Sequence, residues 1–129
     1  MPGPYIAETS SLVAQSTPFG SGQCVALVQA LTHAPLTAEW REGAKLADAI
    51  RTAGGVAPGT AIATFFDGVY PSHPSGNHAA IFVSAAADFA SVQVFDQWVG
   101  HTPQPRTLIF NRPGQHSASD RAEAFSIIV

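Results

Sequence analysis

The sequence predicts an α+β fold, with one helix laid on an antiparallel sheet of roughly five strands. Three observations lead there. The first third of the chain carries the one firm helical pattern, Val25-Ala26-Leu27-Val28-Gln29-Ala30-Leu31, behind a Gly-Ser-Gly start. From Thr60 onward the apolar residues fall instead into short β-rich runs separated by glycine, proline and asparagine. Two of these runs are joined by only a few residues around Ala85–Ala90, which makes them an antiparallel hairpin.

At 129 residues the chain reads as one domain with a real core, residues 1–18 forming an arm that lies on it. The composition, 46% hydrophobic and only 12% charged, excludes disorder. A net charge of −3 with six scattered cations argues against nucleic acid as a partner. A single cysteine excludes an internal disulfide. The N-terminus has neither a basic n-region nor a long apolar run, so it is not a Sec signal, and no run approaches the ~20 residues that would insert in a membrane. The chain is therefore expected to be made in the cytoplasm and to need another route if it acts elsewhere.

In the arm, Ser11 to Gln15 suggests a short helical turn. The helix runs from a Ser21 cap to about Thr32, where Ala34-Pro35 stops it. Thr37 to Gly43 reads as a short capped turn of helix, and Ala44 to Thr52 permits either a helix or an extended segment. Strands are expected over residues 60–66, 78–84, 91–98, 106–110 and 124–129. The second is apolar on both faces and hence central.

The cysteine, Cys24, falls three positions after the Ser21 cap, in the first helical turn. Unpaired N–H groups and the helix dipole there favour a thiolate, and a neighbouring imidazolium lowers a thiol's pKa further. A buried structural cysteine is the plain alternative. A cysteine nucleophile needs a base, and the base needs an orienting partner. Of the histidines at 33, 73, 78, 101 and 116, His33 leaves the far end of the helix, and three others sit in loops. His78 opens the central strand. Counting back symmetrically from a turn near Ala87 sets Asp96 opposite it, where a carboxylate fixes the tautomer and stabilises the imidazolium. Gln97 then points to the other face.

Gln23, just before the cysteine, can offer its amide to an oxyanion beside the Cys24 N–H. Asn77 and Trp98 flank the proposed base and its partner as oxyanion or substrate contacts, and Phe19 and Tyr70 can wall the same cleft. A zinc site built from Cys24, His73, His78 and Asp96 lacks any recognised ligand spacing, so no metal and no other cofactor is expected.

Gly22-Gln23-Cys24-Val25, Trp40 with Gly43, Gly59-Thr60-Ala61-Ile62-Ala63-Thr64-Phe65, Gly76-Asn77-His78-Ala79-Ala80-Ile81 and Val94-Phe95-Asp96-Gln97-Trp98 together resemble the CHAP group of cysteine, histidine-dependent amidohydrolases/peptidases. The likeness is to a small, single-domain proteobacterial branch and spans about residues 19–110. It implies a minimal papain-like fold and hydrolysis of amide bonds in peptidoglycan stem peptides, with Cys24 as nucleophile, His78 as base and Asp96 third. Many members have Glu or Asn at that third position. A signal-less catalytic domain also resembles an effector injected by a type VI secretion system, or a released lytic enzyme. The injected form implies delivery to a target cell's periplasm and a cognate immunity protein in the producer. Two competing readings are a non-catalytic module that grips cell-wall or protein ligands on the same fold, and acyl transfer in place of hydrolysis.

Overall fold

A computed structural model describes residues 3–71 and 76–129. The fold is α+β, as expected. Helix α1 (Cys24–Thr32) and a single turn, α2 (Leu46–Ala49), accompany six strands among the described residues: β1 (Glu42–Lys45), β2 (Ala61–Thr64), β3 (Ala79–Ala85), β4 (Ser91–Trp98), β5 (His101–Ile109) and β6 (Phe125–Ile128). They form one antiparallel sheet in the order β1-β6-β2-β3-β4-β5. The central place of β3 follows from its apolar residues on both faces, since a strand buried twice cannot alternate.

One strand more than expected is present. The short β1 pairs with β6 through Glu42↔Ile128 and Lys45↔Ser126, where Glu42 and Gly43 are expected to end a turn of helix and Ala44 and Lys45 to be either helical or extended. Only Thr37–Glu39 is helical, as a 3-10 turn. Backbone pairing of Arg41 with Val129 pulls the next residues into the sheet, overriding a local sequence that carries no β signal. Strand β5 begins five residues earlier than expected because Pro103 and Pro105 do not break it. As an edge strand it tolerates missing donors.

Each sheet face has its own core. On one side α1 lays Leu27 and Val28 over Ala61, Ala63, Ala79, Ile81 and Phe95. On the other, Leu46, Ile62, Phe82, Val94, Leu108 and Phe125 pack together. The arm is tied down by Ala61 N–H donating to Tyr5 O at 2.8 Å, Ala7 N–H to Gly59 O at 2.8 Å and Gln15 N–H to Pro103 O at 3.1 Å. Its helical turn lies at Thr9–Ser11, slightly before the expected place. No helix among the described residues is long and apolar enough to cross a membrane.

Candidate active site

Helix α1 starts later than the Ser21 cap suggested. Gly20 (φ +52°) and Gly22 (φ +85°) both adopt left-handed conformations that interrupt a right-handed helix, so they form a turn instead. The Ser21 hydroxyl accepts the Gln23 N–H at 3.3 Å within that turn. Gln23 becomes the N-cap residue, and Cys24 is the first helical residue, not the third after a cap. The consequence favours chemistry: the thiol stands at the very end of the helix, where the N–H groups have no intrahelical acceptor. The helix closes at His33, which takes a left-handed conformation (φ 60°), so His33 lies at the far end as expected.

Gln97 fixes this entrance. It is fully buried, pointing under the start of α1 while Asp96 faces the other way. Its Oε1 accepts the Phe19 N–H at 2.9 Å, and its Nε2 donates to Phe19 O at 2.9 Å and Gln23 O at 2.8 Å. A Gln97→Leu change leaves those backbone groups buried without partners, at a cost of about 1–3 kcal/mol. Urea unfolding is expected to show that loss in ΔG, together with slower alkylation of Cys24 by iodoacetamide as the helix start loosens.

His78 precedes the first paired residue of β3. Its N–H donates to Thr64 Oγ1 at 3.0 Å and its carbonyl accepts the Thr64 N–H at 2.9 Å, so the imidazole stands on fixed backbone. His78 Nε2 lies 2.8 Å from Asp96 Oδ2. The register differs by two residues from the one expected. Ile81 pairs with Phe95 and Phe82 with Val94, which sets His78 across from Trp98 and makes Asp96 its diagonal neighbour. The turn is centred later than Ala87, with Phe89 left-handed (φ 59°), and a bulge interrupts the hairpin between Phe82 and Ser84. A two-residue slip keeps every side chain on its face, so the His78–Asp96 contact survives it.

Asp96 has no exposed surface. Besides His78, its Oδ2 accepts from Arg106 Nε at 2.9 Å and Nη2 at 2.8 Å. Arg106 is anchored in turn by Asp120 Oδ1 at 3.1 Å and Ser119 O at 3.1 Å. Arg106 did not stand out in the sequence among scattered cations. Counting back symmetrically from the Val99-Gly100 turn would have found it, because Val94 pairs with Arg106 across β4 and β5 and directs it to the Asp96 face.

Cys24 is buried, with 9% of the residue's surface exposed. Burial pushes the Cys24 pKa up, but the hydrogen bond and charge of the His78 ring, a backbone hydrogen bond from Ala79 and the Tyr70 hydroxyl outweigh it and hold the thiol below its ordinary value. Burial pushes His78 down, while hydrogen bonds and charge from Asp96 and Cys24 raise it to about 9. Burial likewise opposes ionisation of Asp96, yet His78 and Arg106 hold its carboxyl below the usual range. With Nε2 taken by Asp96, Nδ1 is the imidazole nitrogen left for sulfur. Both shifts run toward a thiolate–imidazolium pair, because each charged group stabilises the other.

Tyr70 stands closer to the chemistry than its place in a proline- and glycine-rich loop suggested. Its Oη is 3.8 Å from Cys24 Sγ, and its ring meets the fully buried Trp40 edge-on at 5.1 Å between centroids. Burial first, then the charge and hydrogen bond of Cys24, raise the Tyr70 pKa, with the Asn77 amide opposing. The hydroxyl therefore stays protonated and can donate to sulfur.

A cavity of about 540 Å³ opens beside the imidazole, lined by Gln23, Asn77, His78, Trp98, Arg106 and Asp120 among others. Asn77 also borders a second cavity of about 350 Å³, and Trp98 a third of about 280 Å³. The three residues expected to touch substrate thus all face this one cavity. Trp98 meets the His78 ring edge-on at 5.8 Å and screens it from solvent. Phe19 packs against the α1-side core near the same entrance. His73 lies outside the described residues, and among those described no three His, Cys, Asp or Glu side chains gather as metal ligands would.

Three comparisons bear on this arrangement. A family model described as domesticated amidase effector 2 matches residues 5–128. A type VI secretion amidase effector 2 protein of Salmonella typhi is 35% identical over 104 residues, which cover 80% of this chain and 74% of that protein. Among solved structures, a type 6 secretion amidase effector 2 superposes with a TM-score of 0.76 at 29% identity, covering 98% of this chain and 94% of the other.

Proposed function

The chain belongs to the domesticated amidase effector 2 family, and we propose that it is a cysteine amidohydrolase that cuts amide bonds in the stem peptides of bacterial peptidoglycan. The observation that carries the catalytic assignment is the hydrogen-bonded chain His78–Asp96–Arg106 beside the start of α1, where His78 lowers the pKa of the Cys24 thiol and Cys24 and Asp96 raise that of the imidazole. Its relatives are named as type VI secretion effectors. That supports delivery into the periplasm of a target cell, and a cognate immunity protein in the producer.

In the reaction, the Cys24 thiolate attacks the scissile carbonyl carbon and the carbonyl π electrons move onto oxygen. The Cys24 N–H at the helix end and the Gln23 amide are the donors that face this oxyanion. On collapse the C–N bond breaks, and the imidazolium of His78 gives its proton to the departing amine. Neutral His78 then takes a proton from water, the hydroxide adds to the thioester, and the tetrahedral intermediate expels the thiolate. Asp96 holds the tautomer through both steps. Asn77 and Trp98 would contact the peptide on either side of the imidazole.

Purified peptidoglycan incubated with the protein should release peptide fragments with new amine and carboxyl ends, and mass spectrometry would identify the bond. An unchanged sacculus with correctly folded protein overturns the proposal.

The pH profile gives a separate check. His78 is raised in the fold, so its charge is complete below its unfolded value and is lost as pH rises through about 9. The leaving amine then has no proton donor. Plots of kcat/KM should therefore fall on the alkaline side with a midpoint near 9, while alkylation of Cys24 persists well below the titration of a free thiol. A profile that still rises beyond pH 9 would contradict the ion pair.

A further inference from the structure

Three buried side-chain polar atoms among the described residues have no hydrogen-bond partner, Asn77 Oδ1 and two that face each other. The facing pair is Asp96 Oδ1 and His101 Nε2, 3.6 Å apart. The other carboxylate oxygen, Oδ2, carries all the donors described above. A buried anionic oxygen without a donor is costly, and so is a buried imidazole N–H without an acceptor. The separation is too short to admit a bridging water, and closing it to hydrogen-bond length takes less than about 1 Å.

By sequence His101 is expected in a loop near Gly100. In the structure it opens β5, directly across from Trp98. Its ring stacks flush on the indole, with centroids 3.7 Å apart and planes 6° from parallel. That stack sets the plane of the imidazole and leaves only a slide within it. Between the pairs Asp96↔Gln104 and Trp98↔His101 two steps along β4 face three along β5, so a bulge in β5 sits where His101 approaches the carboxylate. The charged groups at this corner are Asp96, Arg106, Asp120 and His78, with the Arg106 guanidinium 5.2 Å over the Trp98 ring.

We infer that His101 is a positioning residue: its Nε2–H closes onto Asp96 Oδ1, so that one carboxylate is held between two imidazoles and Arg106. The inference rests on the catalytic assignment made above. His101 does not reach the reacting atoms. It shares the negative charge of Asp96, which tunes how strongly that carboxylate holds the proton of His78, and it locks the carboxylate's rotation.

His101→Phe keeps a flat ring for the Trp98 stack and removes the donor. With less of its charge engaged, Asp96 grips the imidazolium harder. The His78 titration should then move to higher pH, and kcat should fall by about three- to tenfold at unchanged KM, because the acid is weaker toward the leaving amine. His101→Gln offers an amide donor without the stack and should return the titration most of the way. NMR of the ring nitrogens in the whole protein reads both points without substrate. The His101 Nε2 proton should be protected from exchange in the wild type and lost from protection in Asp96→Asn. Failure of the wild type to cleave peptidoglycan would remove the enzyme assignment and leave these NMR readings intact. A freely exchanging His101 proton, or a His78 titration unmoved in His101→Phe, overturns the positioning role even if the enzyme is fully active.

Discussion

Cys24→Ala is expected to abolish peptide release from peptidoglycan, with turnover lower by roughly four orders of magnitude or more. The chain has one cysteine, and the hydroxyl that meets it among the described residues, Tyr70, is held further from ionisation than an ordinary phenol by burial and by Cys24. The substitution removes one sulfur from the first residue of α1 and leaves Leu27 and Val28 to anchor the helix. The folded state should therefore survive, with unchanged circular dichroism and at most a small shift in Tm. A second consequence follows from the same contact. Cys24 contributes to the raised pKa of His78, so the imidazole of the variant should titrate at lower pH than in the wild type, which NMR can read directly. Full peptide release by the alanine variant would remove Cys24 from the chemistry altogether. Lost release with an unchanged His78 titration would separate the nucleophile from the ion pair.

How much of this site could be read from sequence depended on the range over which each rule acts. Residue types and alternation reach along one strand, and they placed Asp96 and Gln97 on opposite faces without error. The hairpin register required the turn's centre, which depends on a left-handed Phe89 that composition does not announce. Because the error was an even number of residues, the faces stayed correct and the His78–Asp96 pair remained legible. The start of α1 was misjudged for a different reason. Ser21 is a good cap by type, but flanking glycines at positive φ lend their freedom to a turn as readily as to a cap. Strand β1 was not legible at all, because its pairing with β6 joins segments more than eighty residues apart and its own residues, Glu-Gly-Ala-Lys, favour no strand. Arg106 and His101 fell between these cases. Each becomes visible only after β4 and β5 are paired, and the prolines in β5 hid that pairing. The residues that do the chemistry were thus readable by type, whereas those that hold them were readable only through topology.

Asp96→Asn isolates what the buried charge supplies. Three donors converge on Oδ2: His78 Nε2, Arg106 Nε and Arg106 Nη2. An asparagine must therefore turn its carbonyl oxygen to that place and its amide nitrogen toward His101. The hydrogen bond that fixes the His78 tautomer would persist, and only the negative charge would go. Arg106 is then left beside the imidazole with Asp120 as its one charged partner, and its positive charge disfavours a second cation. The His78 pKa should fall well below about 9, where Asp96 helps to hold it in the wild type, and the Cys24 thiol should rise as it loses the imidazolium. The ion pair would then be a minor species at neutral pH, and kcat/KM should drop by about 10³-fold. The alkaline limb should move toward acid, opposite to the shift expected of His101→Phe. Arg106 supplies the internal control. Adding Arg106→Met to the asparagine variant removes the uncompensated cation and should bring the His78 titration part of the way back, although the double variant keeps one hydrogen bond where the wild type has three. A double variant whose His78 titrates no higher than that of Asp96→Asn alone would mean that orientation, and not charge, is what the carboxylate provides.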